Sequence, residues 1–213
     1  MTYKTATFDV DAQKGFTPIC PDELPVAGGE TLAPVLNRMA SLGCFRVGSK
    51  DAHSAHAAWV NPDRSLMATA TGLTEAPLYW PSHCVVGTTG FELLDGLPPP
   101  QAYDFFVWKG IESNLHPFGA CFHDVSERRT TGVIEVLKGQ GIERVIVGGL
   151  AFDFCVKDTA IQLAKAGFKV IVLKEACKAI SEETAAAATQ AMSDAGVEIV
   201  ETFDQLAEPD RSR

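Results

Sequence analysis

The chain has 213 residues, 46% of them hydrophobic, and carries 18 basic against 27 acidic side chains for a formal net charge of −9. That length and apolar content suit one α/β-sized domain, residues 1–213, with a substantial core. An acidic balance with no basic stretch argues against a nucleic-acid backbone or an anionic membrane surface as partner, and favours a small neutral or cationic ligand.

No apolar run approaches the roughly 20 residues that span a bilayer, and Met1–Asp9 lacks the charged and apolar regions of a signal peptide. Six cysteines, at 20, 44, 84, 121, 155 and 177, occur without CxxC pairs. They read as reduced thiols in a cytoplasmic protein.

In chain order, Thr5 to Val10 is the first predicted strand. Thr31 to Leu42 is a helix, with Leu32, Val35, Leu36 and Met39 at helical spacing and Gly43 as its stop. Phe45 to Ser49 and Tyr103 to Trp108 are the second and third strands. Thr130 to Lys138 is a helix ended by Gly139 and Gly141. Arg144 to Gly148 is the fourth strand, and Phe154 to Ala166 a helix closed by Gly167. Phe168 to Leu173 is the fifth strand, Glu182 to Ala195 an Ala-rich helix, and Val197 to Val200 the last strand. This alternation implies a doubly wound, three-layer α/β/α fold around a six-stranded, mainly parallel sheet with strand order 3-2-1-4-5-6. Residues 51–102 and 110–128 lack regular pattern, and irregular stretches of that length in a compact domain are usually functional.

In such sheets ligands bind beyond the carboxyl ends of the strands, where strand order reverses. Asp11 follows the first strand, Asp51 and His53 the second, Lys109 the third and Cys155 the fourth, so all are expected at one edge. Asp51-Ala52-His53 sets a carboxylate and an imidazole two residues apart, on one side of extended backbone, a chelating spacing. His56 and His83 lie further on. Cys155, after Gly148 and Gly149, reads as a thiol at a helix start, where peptide dipoles favour the thiolate. Cys84 is the rival nucleophile. Asp11 is placed to take the thiol proton, although Asp9 shares its face and spacing does not choose between them. Lys109 would stabilise anionic neighbours. Phe16, Trp80 and Trp59 are candidates for an aromatic pocket wall.

With these residues in place, the chain resembles the cysteine hydrolases of the isochorismatase-like superfamily and, within it, the nicotinamidases (pyrazinamidases), over roughly residues 5–204. The carrying motifs are Asp11-Ala12-Gln13-Lys14-Gly15-Phe16, Asp51-Ala52-His53, Trp80-Pro81-Ser82-His83-Cys84-Val85 with Gly87, Lys109-Gly110, and Gly149-Leu150-Ala151-Phe152-Asp153-Phe154-Cys155-Val156. The resemblance selects Asp11 over Asp9. It implies a catalytic triad of Asp11, Lys109 and Cys155, and an oxyanion hole from the backbone N–H groups of Ala151 and Cys155. It also implies one divalent metal held by Asp51, His53 and His83, zinc first, with iron, manganese and cobalt as alternatives. Phe16 and Trp80 would line the substrate pocket, and a cis peptide would fall at Leu150–Ala151. The implied reaction is hydrolysis of nicotinamide, or pyrazinamide, to the acid and ammonia in NAD salvage, by a chain that could form a homo-oligomer. Another amide or ureido substrate, or a catalytically silent ligand-binding homologue, are the alternatives. Ala52, Phe152 and the run Ile111 to Phe118, which lacks a pocket tyrosine, depart from the family pattern.

Overall fold

The computed structural model describes residues 3–206. Met1 and Thr2 of the stretch inspected for a signal peptide, and residues 207–213, lie outside them.

Among the described residues, eight strands and four α-helices follow one another: β1 (Thr5–Val10), α1 (Ala33–Ala40), β2 (Phe45–Asp51), β3 (Ala70–Leu73), β4 (Ala76–Leu78), β5 (Phe105–Lys109), α2 (Val133–Gly139), β6 (Arg144–Leu150), α3 (Lys157–Lys165), β7 (Lys169–Lys178), α4 (Glu182–Asp194) and β8 (Glu198–Val200). Six strands form one sheet in the order β5-β2-β1-β6-β7-β8, and all of its pairings are parallel. With the β3–β4 hairpin set aside, this is the expected 3-2-1-4-5-6 order; the hairpin adds two strands inside 51–102, where no regular element was expected. Its strands are too short and too exposed to leave an alternating signature.

The sheet is covered on both faces because its central strands alternate two apolar sets. Ala6, Phe8, Val145 and Val147 pack with Leu137 of α2, Leu163 of α3 and Met192 of α4. Ile146 and Leu150 turn the other way, toward Leu36 and Met39 of α1 and toward Trp59 and Trp80 of the long loop. No helix among the described residues is long and apolar enough to cross a membrane.

Several boundaries differ from expectation, and two of them have a clear physical cause. β7 continues past Leu173: its register against β6 shifts between Val147 and Gly149, and Cys177 and Lys178 resume pairing with Gly149 and Leu150. The polar pair Lys174-Glu175 looks like a terminus, yet it bulges outward, where Glu175 N–H bonds Glu201 O at 3.0 Å. The helix expected from Phe154 begins instead with a π-helical turn over Phe152–Val156, and α-helical geometry starts only at Lys157.

Asp9 settles a competition inside β1. Its carboxylate accepts from Arg46 Nε at 3.0 Å and from the Tyr103 hydroxyl at 2.9 Å. Burial nevertheless pushes its pKa up from 3.8 to about 6, against the pull of Arg46. A carboxyl that binds its proton more tightly when folded contributes stability below its unfolded pKa and loses it as pH rises through the folded one. Asp9→Asn is therefore expected to gain on the wild type by about 3 kcal/mol between pH 4 and pH 7, the size of a two-unit shift. Urea unfolding at both pH values measures this; a constant difference would refute it.

Candidate active site

β1, β2, β5 and β6 deliver their last residues to one edge of the sheet, on both sides of the β1/β6 junction where strand order reverses. Parallel register sets Asp51 directly beside Lys109. Asp11 leaves β1 with φ +44°, which turns its side chain back over the strand ends. Gly149 makes the approach of β6 feasible: a Cβ there would lie 2.0 Å from Val10 O. The following peptide, Leu150–Ala151, is cis, and the π turn then carries Cys155. Such turns are frequent at functional sites.

Asp11, Lys109 and Cys155 meet in the interior. Lys109 Nζ lies 3.0 Å from Asp11 Oδ2, donates to Asp51 Oδ1 and to Pro117 O (3.1 Å), and stands 3.7 Å from Cys155 Sγ. Its side chain is wholly buried. Asp11, Asp51 and Cys155 place acceptor atoms within 4.8 Å of one another. The Ser49 hydroxyl donates to Asp11 Oδ1 at 2.7 Å. Gln13 clasps the Asp51 backbone, its Oε1 accepting from Asp51 N–H and its Nε2 donating to Asp51 O, both at 2.8 Å. Ser49 and Gln13 were not singled out from the sequence. Their signals were local: Ser49 precedes Asp51 by one strand repeat, and Gln13 sits two residues past Asp11.

Around this lysine the two carboxyls are driven apart. Burial raises the Asp11 pKa, with Lys109 opposing and the Asp51 charge adding to the rise. Asp51 is equally buried, but the Lys109 ammonium beside it outweighs that and holds it well below the usual carboxylate range. Burial works against the Lys109 ammonium, yet the two carboxylates keep its pKa well above the ordinary value. Divergent pKa values in adjacent carboxyls mark one as a proton carrier and the other as a fixed charge. Burial also pushes the Cys155 thiol up, with Lys109 opposing. This corrects the expected dipole-favoured thiolate: desolvation outweighs the helix field, so the resting group is a thiol that needs a base.

A histidine cluster adjoins the same edge. The 51–53 extension is paired by the Trp80–Val85 segment, with His53 N–H bonded to Cys84 O (3.1 Å) and Val86 N–H to His53 O (3.1 Å). His53 Nδ1 donates to Gly110 O at 3.2 Å and His83 Nδ1 to Pro81 O at 2.7 Å. Since a carbonyl only accepts, both rings carry a proton on Nδ1, which leaves Nε2 as the atom each ring can offer to a metal. His53 Nε2 is buried with no hydrogen-bond partner among the described residues, 3.4 Å from Asp51 Oδ2. Burial holds the His83 pKa down at about 3, in the neutral, ligating form. Gly110 is needed here: at φ +72° its Cβ would fall 2.6 Å from His53 Cε1. One carboxylate and imidazole nitrogens whose ligand atoms lie within 4.8 Å of one another fit a divalent ion.

Asp51, His53 and His83 come together as expected, joined by His116, which had no assigned part. His56 is exposed and outside the cluster. Cys84 is buried in the apolar core beside Gly15 and is not among the grouped donor atoms. Phe16 and Trp80 line the cavity that Cys155 opens onto, with Phe118, Phe154, Ala151 and Ile180. Trp59 is not on that wall; it is fully buried behind the histidines, 4.6 Å from His53 between ring centroids.

An isochorismatase domain matches residues 73–204. A nicotinamidase from Acinetobacter baylyi is 34% identical over 182 residues, covering 80% of this chain and 79% of its own. Among solved structures, a nicotinamidase/pyrazinamidase from Acinetobacter baumanii superposes with a TM-score of 0.84 at 30% identity, covering 95% of this chain and 98% of that one. A pyrazinamidase from Pyrococcus horikoshii in complex with zinc has a TM-score of 0.73 at 27% identity, covering 93% and 99%. By these matches, and by the motifs that meet at the sheet edge, the chain belongs to the isochorismatase-like cysteine hydrolases of the nicotinamidase/pyrazinamidase type.

Proposed function

We propose that this protein hydrolyses nicotinamide to nicotinate and ammonia through a thioester on Cys155, with pyrazinamide as a second substrate. The observation that carries the reading is that Asp51 belongs to both groups, the Asp11/Cys155 cluster and the histidine cluster, so that an electrophile-binding centre and a nucleophile share one wall. The Acinetobacter relatives, named for nicotinamidase activity, support the same substrate.

Asp51, His53 and His83 would hold a divalent ion, zinc by analogy with the Pyrococcus horikoshii protein. Bound there, the ion supplies a coordination position for a pyridine nitrogen. Phe16 and Trp80 flank the ring and exclude water. Asp11 takes the proton of Cys155 Sγ, and the sulfur forms its bond to the amide carbon. Lys109 holds the charge of both groups without leaving its place between the carboxylates. The N–H groups of Ala151 and Cys155 receive the oxyanion, where each donor contributes about 3 kcal/mol. Asp11 returns its proton to the departing ammonia, and water then cleaves the thioester to free the acid. Six unpaired thiols support a reducing, cytoplasmic setting, where the reaction would serve NAD salvage.

Ammonia release from nicotinamide, pyrazinamide and a short aliphatic amide tests the substrate. Nicotinamide is expected to lead, to lose turnover after chelation and to regain it with zinc. A preference of about tenfold or more for the aliphatic amide, which lacks the ring that an aromatic pocket should favour, would overturn the assignment.

A further inference from the structure

His116 reaches the histidine cluster from the 110–128 segment, 63 residues beyond His53, and its position there is over-determined. Its own N–H bonds Glu75 O in the β3–β4 hairpin turn at 2.7 Å. Trp59 Nε1 donates to Leu115 O at 3.1 Å, and the Trp59 indole stacks on the imidazole with centroids 3.9 Å apart and planes 9° apart. One face of the ring is thereby clamped. The ring stands edge-on to His53 at 5.0 Å and close to His83 at 5.8 Å.

The ring is 2% exposed, and its Nδ1 is buried without a hydrogen-bond partner among the described residues. Desolvating a ring nitrogen and leaving it idle is unfavourable. An imidazole giving that nitrogen's lone pair to a cation removes the cost. One ligand atom from each of Asp51, His53, His83 and His116 lies within 4.8 Å of the other three, all buried.

We propose that His116 is a fourth protein donor to the divalent ion, completing a set of one carboxylate and three imidazoles; this rests on the metal reading above. Asp51, His53, His83 and His116 would then hold the ion together, and a substrate nitrogen would join four protein donors rather than three. The donor also ties the ion to the hairpin and the 110–128 segment through Glu75 and Trp59.

The test is zinc binding to metal-free protein in competition with a chromophoric chelator, for the wild type, His116→Phe and His53→Ala. Phenylalanine keeps a ring against Trp59 and removes the nitrogen. His116→Phe is expected to bind zinc at least about tenfold more weakly, since even outer-sphere changes cost 10- to 100-fold. Zinc affinity within about twofold of wild type in His116→Phe, where ligand loss should cost far more, overturns the proposal if His53→Ala has lost binding; His116 is then a pocket wall beside an intact metal centre. Wild-type affinity in His53→Ala, or no zinc bound by the wild type, overturns the metal reading itself. X-ray absorption on the zinc-loaded wild type is independent of how the variants fold: three imidazoles are expected, and two would sink the fourth donor.

Discussion

Replacing Cys155 with alanine is expected to lower nicotinamide turnover at least about ten-thousand-fold while the protein stays folded, because removing a catalytic nucleophile discards the covalent route and leaves only residual binding and oxyanion effects. The side chain is small and packs at the lip of the cavity, so truncation opens little space. Serine should not rescue it. Burial already raises the thiol pKa, with Lys109 in opposition, and a hydroxyl is a far weaker acid that Asp11 cannot deprotonate. Ammonia release and thermal unfolding, measured together, decide this: turnover within tenfold of wild type in a folded Cys155→Ala protein would remove the proposed chemistry.

Lys109→Met carries the largest expected loss of stability. The lysine is wholly buried between Asp11 and Asp51, and methionine keeps its length while removing its charge. Two buried carboxylates would then face each other unpaired, and breaking a buried ion pair typically costs about 3–5 kcal/mol. Without the ammonium both carboxyl pKa values rise above their unfolded values. The penalty is therefore full at pH 8 and shrinks as protons are taken up toward pH 5. Metal-free protein must be used, because a bound cation would compensate Asp51. Urea unfolding of the apo variant at both pH values measures the effect; stability equal to wild type at pH 8 would show that the lysine does not neutralise the pair.

The backbone of the site was largely legible in the linear order of residues. β1 was bounded correctly because Thr5, Thr7, Phe8 and Val10 form a β-branched and aromatic run that stops before Asp11, whereas β6 starts at Arg144 as expected but runs through both glycines to Leu150. Chemistry-bearing residues placed just after strands must gather at one edge of a parallel sheet, whatever the details of the loops. Spacing alone did not say which acid faces the thiol, and Asp11 was selected only by the motif resemblance. Asp9 and Asp11 share a strand face by alternation, and only the positive φ of Asp11 and the capture of Asp9 by Arg46 and Tyr103 separate them.

Composition and spacing by themselves determined the parallel α/β architecture and the sheet edge that carries the reactive groups, because hydrophobic periodicity and strand–helix alternation are local properties. Tertiary structure alone decided the protonation of the site and its full membership. The resting state of Cys155 depends on desolvation by neighbours distant in sequence. The π turn over Phe152–Val156 cannot be told from an α turn by residue pattern across five positions. His116 is brought to His53 by a stack on Trp59 and a hydrogen bond to the hairpin, contacts between segments whose spacing carries no periodic signal. Local pattern encodes backbone direction, whereas charge state and donor sets follow from burial and long-range packing.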